Sequence, residues 1–190
     1  MAKNDVISVE NNITKKDFRK VFWRSFTLLG SFNYEKMEGL AYLYCIEHIL
    51  KKIYKDDEEG LKQAMLRESA AFNMTIAPAP FVMGISIAME ESVKRDPNFD
   101  PASINAIKVS LMGPLSGIGD SLLLGTLRIL AVGIGTSLAL KGSVLGPILF
   151  LLIFNVPAFI LRYVCAMKGY ELGATYLEKI QKSGLMQKFM

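Results

Sequence analysis

Between Val109 and Tyr163 the chain carries only Asp120, Arg128, Lys141 and Arg162 as charged side chains, while its first hundred residues hold most of the charge. So long a stretch with so little charge has few places to fold. Ser121 to Leu140 and Val144 to Tyr163 each reach the roughly 20 apolar residues that cross a bilayer as a helix. Lys141, Gly142 and Ser143 form a tight turn between them. The pattern predicts a transmembrane helical hairpin with spans at about 120–140 and 144–163. Composition agrees: 51% of the 190 residues are hydrophobic and mean hydropathy is +0.29, which soluble domains of this size rarely reach because their charged surface offsets the core.

Two other apolar stretches are punctuated by helix breakers. Thr75 to Met89 contains Pro78, Pro80 and Gly84, and Val109 to Gly125 contains Pro114 and several glycines. Both read as re-entrant or broken helices, at about 75–89 and 109–119. A helix interrupted at membrane depth frees amides and carbonyls that lipid cannot satisfy. Such backbone persists only against protein or in a wet cavity, which is where transporters hold substrate. Close packing of the glycines is the alternative. The expected membrane-embedded region is 74–163.

Asp120 stands at the mouth of the first span in Gly117-Ile118-Gly119-Asp120-Ser121, and Arg128 follows two turns on. Intramembrane charges usually face a cavity or each other. Helix capping at headgroup level is the other reading of Asp120. Asn155, two residues before Pro157, has the chemistry to bond across helices or to freed carbonyls. Asn33, Glu35 and Glu38 lie together after an aromatic-rich helix. They suit hydrogen bonding to a polyol or to a partner subunit, and no nucleophile stands beside them.

The N-terminal half divides into a mobile polar tail, 1–12, and an amphipathic cytoplasmic or interfacial helical region, 13–73. Phe18, Phe22, Phe26 and Leu29 make an apolar stripe opposed by Lys16, Lys20 and Arg24. With Trp23, that stripe fits either a helix in the headgroup plane or one packed on protein. Gly39 to Tyr54 is a second helical stretch, and Asp56 to Glu59 opens a third. Asp100 followed by Pro101 marks a helix start. The segment 164–190 is basic. No cleavable signal peptide is expected from the polar start. A hairpin places the basic N-terminal region on the same side as Arg162, Lys168, Lys179, Lys182 and Lys188, which the positive-inside rule makes cytoplasmic.

Several function classes are excluded. The net charge of +4 comes without zinc-finger spacing or interleaved basic and aromatic residues, so nucleic acid is not expected as a partner. GIGDSLLLG has its third glycine misplaced for a dinucleotide fingerprint, and no Gly-Lys-Ser/Thr phosphate loop exists. His48 is the single histidine and reads as an interfacial or satisfied core residue. Cys45 and Cys165 read as small buried hydrophobes. No catalytic residue, metal site or cofactor is expected.

Val21-Phe22-Trp23-Arg24-Ser25, Ser31 to Met37, and above all Lys108 to Ser121 resemble the IID component of the mannose-type phosphotransferase system. Gly125 to Arg128, Leu145-Gly146-Pro147 and Phe154 to Pro157 fit the same pattern, so the resemblance runs from Asp17 to the end. It implies a hetero-oligomeric sugar permease subunit of a bacterial plasma membrane, paired with a IIC subunit and served by cytosolic IIA and IIB phosphocarriers. The substrate-pathway candidates in such a subunit are Asn33, Glu35, Asn73, Asp120, Arg128 and Asn155. A non-conducting scaffold or bacteriocin receptor is the alternative. The chain departs from the family in having Phe32 for a tryptophan, Asn73-Met74-Thr75-Ile76 for Asn-Thr-His-Pro, and Ile129 for a proline. The family histidine is thereby lost, and direct sugar contact does not carry over from the first two of these departures. Relatives continue into a further apolar C-terminal segment.

The fold class expected is an all-α membrane protein: N-terminal amphipathic or interfacial helices, re-entrant broken helices and a transmembrane hairpin.

Overall fold

The computed structural model describes the backbone of residues 6–8 and 13–182, and side chains from 13 to 175. Strand β1 (Val6–Ser8) pairs antiparallel with β2 (Ile13–Thr14). The side chains of Lys179 and Lys182, and the whole of Lys188, lie outside the described residues. The remaining regular elements described are helical, joined by turns and loops: α1 (Lys15–Arg24), a 3₁₀ segment (Ser25–Ser31), α2 (Gly39–Ile53), α3 (Glu58–Glu68), α4 (Ala79–Arg95), α5 (Ala102–Gly119), a π segment (Asp120–Leu127), α6 (Arg128–Ala139) and α7 (Leu145–Lys182). The fold is all-α with an apolar hairpin, as the sequence predicts.

Two parts share the chain. Helices α1 to α4, the foot of α5 and the later turns of α7 form a head with one continuous core, including Phe18, Tyr42, Ile46, Ile49, Met83, Ile87 and Tyr170. From it projects the hairpin, α5–π–α6 against α7, where Ile129, Leu140, Val144 and Ile160 are all at least 60% exposed. Only lipid or a partner chain satisfies such a surface. The first arm runs 38 residues, Ala102 to Ala139, without interruption. At about 1.5 Å per residue it is roughly 57 Å long, far more than a ~30 Å hydrocarbon layer needs. The turn follows the expected pattern. Gly142 takes φ +73°, its amide donates to the Ala139 carbonyl at 2.9 Å, and that of Ser143 to Leu138 at 3.1 Å.

The stretches expected as interrupted have a different backbone. Ala79–Arg95 is one continuous helix, buried on most sides in the head. Pro80 stands in its first turn, where a missing amide costs nothing. Gly84 is a contact point: a Cβ there would meet the Tyr170 backbone nitrogen at 2.5 Å. Gly169 faces the Phe81 carbonyl, and Gly173 would place a Cβ 3.2 Å from the Cα of Ile85. Three glycines therefore bring α4 and α7 into close backbone contact, the packing alternative rather than the broken-helix one. Segment 109–119 is likewise continuous helix, and the irregularity falls later, in the π segment 120–127.

The α1 stripe divides. Phe18, Val21 and Leu28 are buried in the head, while Trp23, Phe26 and Leu29 stay exposed. Phe26 and Phe22 stack edge-on against Phe159 and Tyr163 of α7. Arg24 leaves the expected basic row, donating to the Tyr44 carbonyl at 2.6 Å and lying over its ring.

Candidate functional site

Two adjoining loops stand beside α5, and the second of them meets its last turns. The first, Ser31 to Glu38, is shaped by Asn33. Its side-chain oxygen accepts from the amides of Glu35 at 3.1 Å and Lys36 at 2.8 Å, and its amide nitrogen donates to the Ser31 carbonyl at 3.2 Å. Met37, at φ 52°, exchanges backbone hydrogen bonds with Asn33 and bridges to Phe72 of the second loop. Glu38 follows, 2% exposed, its amide bonded to the Phe72 carbonyl at 2.8 Å and its carboxylate accepting from Met74 at 3.4 Å. Burial pushes its carboxyl up from 4.5 to about 7, with the Met74 amide opposing.

The second loop, Asn73 to Pro78, lies along α5. The Asn73 backbone N–H points at the Met112 sulfur at 3.3 Å. Thr75 receives the densest set of contacts. Its amide donates to Ser116 Oγ at 3.1 Å, and its hydroxyl sits 3.2 Å from the Ser116 carbonyl and 2.6 Å from Asp120 Oδ1. Gly119 makes the approach possible, since a Cβ there would press on Thr75 at 3.0 Å. The result is a polar notch of half-buried Thr75 and Ser116 with exposed Asp120 on the flank of an apolar helix. A carboxylate and two hydroxyls have the donors and acceptors to bind a polyhydroxyl ligand.

Asp120 lies inside the continuous helical run and opens the π segment, so the capping reading has no helix start to act on. π segments recur at functional positions in helices; here the Thr126 hydroxyl caps the Ser121 carbonyl at 3.1 Å. Of the six residues expected in a pathway, Asp120 meets the second loop through Thr75, and Asn73 begins that loop with its backbone amide on Met112. Asn33 and Glu35 occupy the adjoining loop, where the side chain of Asn33 is committed to the backbone. Arg128 is exposed on α6, and Asn155 donates within its own helix to Leu151 at 2.8 Å; neither shares a hydrogen bond with the notch among the described residues. Sequence reading missed Thr75 and Ser116, because a hydroxyl on an apolar stretch carries no signal until its partner is known.

One ion pair fastens the foot of α5 to the head, and another ties α3 to α4 within it. Lys108, 1% exposed, donates to Glu68 at 2.9 Å and lies 4.3 Å over the Tyr42 ring; the Tyr42 hydroxyl is 2.7 Å from Ser86. Glu90 accepts from Arg67 at 3.1 and 2.8 Å and from the Tyr54 hydroxyl at 2.7 Å. Burial, reinforced by Glu90, raises the Glu68 carboxyl, with Lys108 opposing. His48 bonds the Asp17 carbonyl at 3.2 Å through Nε2, while Nδ1 is buried without a partner. Burial, with Arg24 and Lys20 nearby, lowers it to about 4, so it is neutral at physiological pH. Cys45 is buried as expected and pushed up to about 12 by that burial.

Comparison with known proteins agrees with this geometry. Residues 12–190 match the model of the PTS system mannose/fructose/sorbose family IID component. The chain is 35% identical over 188 residues to the mannose-specific EIID component of Escherichia coli K12, covering 99% of this chain and 66% of that one. It is 37% identical to the sorbose-specific EIID component of Lacticaseibacillus casei, covering 96% of this chain and 64% of the relative. It is 33% identical to the fructose permease IID component of Bacillus subtilis, covering 90% and 62%. Among solved structures it is similar to a chain of the mannose transporter ManYZ in complex with microcin E492, with a TM-score of 0.85 at 35% identity over 93% of this chain and 64% of that one. The chain thus spans about two thirds of the length of the relatives it matches. With that likeness running from the head through both arms of the hairpin, the chain belongs to the IID component family of mannose/fructose/sorbose phosphotransferase systems.

Proposed function

We propose that this chain is the IID subunit of a sugar permease in a bacterial plasma membrane, forming with a IIC subunit the pathway for a hexose or related sugar. Cytosolic IIA and IIB proteins would carry the phosphoryl group, and IIB would pass it to the sugar on delivery. The chain itself shapes the pathway and performs no chemical step. The observation that carries the reading is the Thr75–Asp120 contact at 2.6 Å: a loop hydroxyl held against a carboxylate on a membrane-length apolar helix, where polar groups persist when they face a partner or a wet cavity. The relatives named for mannose, sorbose and fructose support the substrate class.

Two measurements test it. The chain should co-purify with its IIC partner, and Asp120→Asn should abolish sugar uptake while leaving that complex intact. Full uptake by an assembled Asp120→Asn complex removes the notch from the pathway. A chain stable alone in detergent, with no uptake defect on deletion, removes the permease reading. A second reading, a bacteriocin receptor, draws on the microcin in the complex of the structural neighbour. Under it, deletion gives resistance to such a peptide, and Asp120→Asn does not.

A further inference from the structure

Arg162 lies in α7 at the end of the apolar stretch that began at Val144, and it is 8% exposed. Its Nε is enclosed without a partner, its Nη1 reaches Ser25 Oγ at 3.4 Å, and its guanidinium lies 4.2 Å over the Phe26 ring. Among the described residues no carboxylate stands within ion-pair distance of it. A desolvated guanidinium without an anion is costly, and such charges are retained where a counter-charge arrives from elsewhere.

The surroundings indicate the source. Phe22, Trp23 and Phe26 of α1 and the 3₁₀ segment cluster edge-on with one another and with Phe159 and Tyr163. Trp23 is nevertheless 66% exposed. One and two turns earlier on α1, Lys16, Arg19 and Lys20 are exposed as well. The acid among them, Asp17, is buried and paired with Lys52 at 2.8 Å. Exposed aromatics beside a row of cations, at the end of an apolar span, mark the headgroup level of a bilayer. We infer that Arg162 and Phe26 form a binding site for an anionic phospholipid, the headgroup phosphate accepting from Arg162, while the exposed Lys16–Arg19–Lys20 row farther back on α1 draws the anionic surface toward it. This rests on the membrane hairpin and not on the transport reading, so an unaffected Asp120→Asn uptake leaves it standing.

The test uses the full chain in mild non-ionic detergent, stripped of lipid and titrated with phosphatidylglycerol, phosphatidylcholine or inorganic phosphate, with thermal midpoint and native mass spectrometry as readouts. Phosphatidylglycerol is expected to bind at least about tenfold tighter than phosphatidylcholine, and inorganic phosphate not to protect. Neutralising exposed cations should weaken the glycerol lipid by about fivefold per charge, read in Lys16→Gln/Arg19→Gln/Lys20→Gln. Arg162→Gln should erase the preference and Arg162→Lys keep most of it. Equal binding of the two lipids by the unaltered chain overturns the inference. So does full protection by phosphate alone, which indicates a free-anion site. Should Arg162→Gln not fold, the surface triple variant decides, and an unchanged preference in it is equally fatal. A photo-crosslinker at Trp23 in native membranes should capture lipid; capture of a protein chain instead assigns the surface to a partner and overturns the lipid.

Discussion

Thr75 donates its hydroxyl to Asp120 at 2.6 Å across 45 residues of sequence, joining the loop before α4 to the π segment of the membrane arm. Hydrogen bonds to charged groups contribute about 1.5–3 kcal/mol. Thr75→Val removes the donor and keeps the shape. It should lower the thermal midpoint by several degrees and reduce sugar uptake by about tenfold, while Thr75→Ser should hold both near the native level. Asp120→Asn combined with Thr75→Val should lose less than the sum of the two single changes, because each disrupts the same contact. Strict additivity in stability would show that the bond contributes nothing.

Lys108 and Glu68 form a pair from which water is excluded, with exposures of 1% and 0%. Removing one member of such a pair leaves the other charge buried and unmatched, at about 3–5 kcal/mol. Lys108→Met should therefore destabilise strongly in detergent melts. Lys108→Met with Glu68→Leu should recover much of the loss, since no stranded charge remains. A double variant as damaged as the single one would mean that the pair organises α3 against α5 beyond its charge balance.

How far the sequence reveals such contacts depends on their range. The hairpin was legible because charge depletion, a Lys-Gly-Ser turn and length are all local. The Asp100 helix start was legible for the same reason, and its carboxylate does accept from the Ala102 amide at 2.9 Å. The nature of α4 was not. Gly84 resembles a breaker until Ala166 and Tyr170, some eighty positions later, come to lie against it. The Glu68–Lys108 and Thr75–Asp120 pairs are likewise set by tertiary packing, at separations of 40 and 45 residues. Of the site, Asp120 was readable as a residue type, and its hydroxyl partner Thr75 was not.

The glycines give a paired prediction. A Cβ on Gly169 would strike the Phe81 backbone, whereas at Gly113 and Gly117 it meets nothing within 4 Å. Backbone cannot yield as a flexible side chain can, so Gly169→Ala should separate α4 from α7 and cost about 3 kcal/mol or more. Gly113→Ala should leave the stability of the isolated chain unchanged or slightly raised, because alanine favours helix over glycine by about 1 kcal/mol. Equal effects at the two positions, read as thermal midpoints, would rule out the close α4–α7 contact.

Glu38 makes stability depend on pH in a direction that can be stated. Burial raises its carboxyl in the folded chain from 4.5 to about 7. Between those values the folded state holds a proton that the unfolded chain has released, so its contribution is fully present below about 4.5 and lost as pH rises toward 7. Asp17 works in the opposite sense. Burial disfavours its charge, but Lys52 and the amide and hydroxyl of Thr14 outweigh that and hold the carboxyl low, so its contribution fades only in acid. His48, lowered to about 4, also loses stability as pH falls from its ordinary 6.5. The Glu38 term is isolated by difference. Glu38→Gln mimics the protonated form, and it should match the native chain near pH 5 and exceed it at pH 8 by about 2 kcal/mol. Thermal melts of the two chains across that range supply the check, and a difference independent of pH would show that Glu38 is ionised throughout.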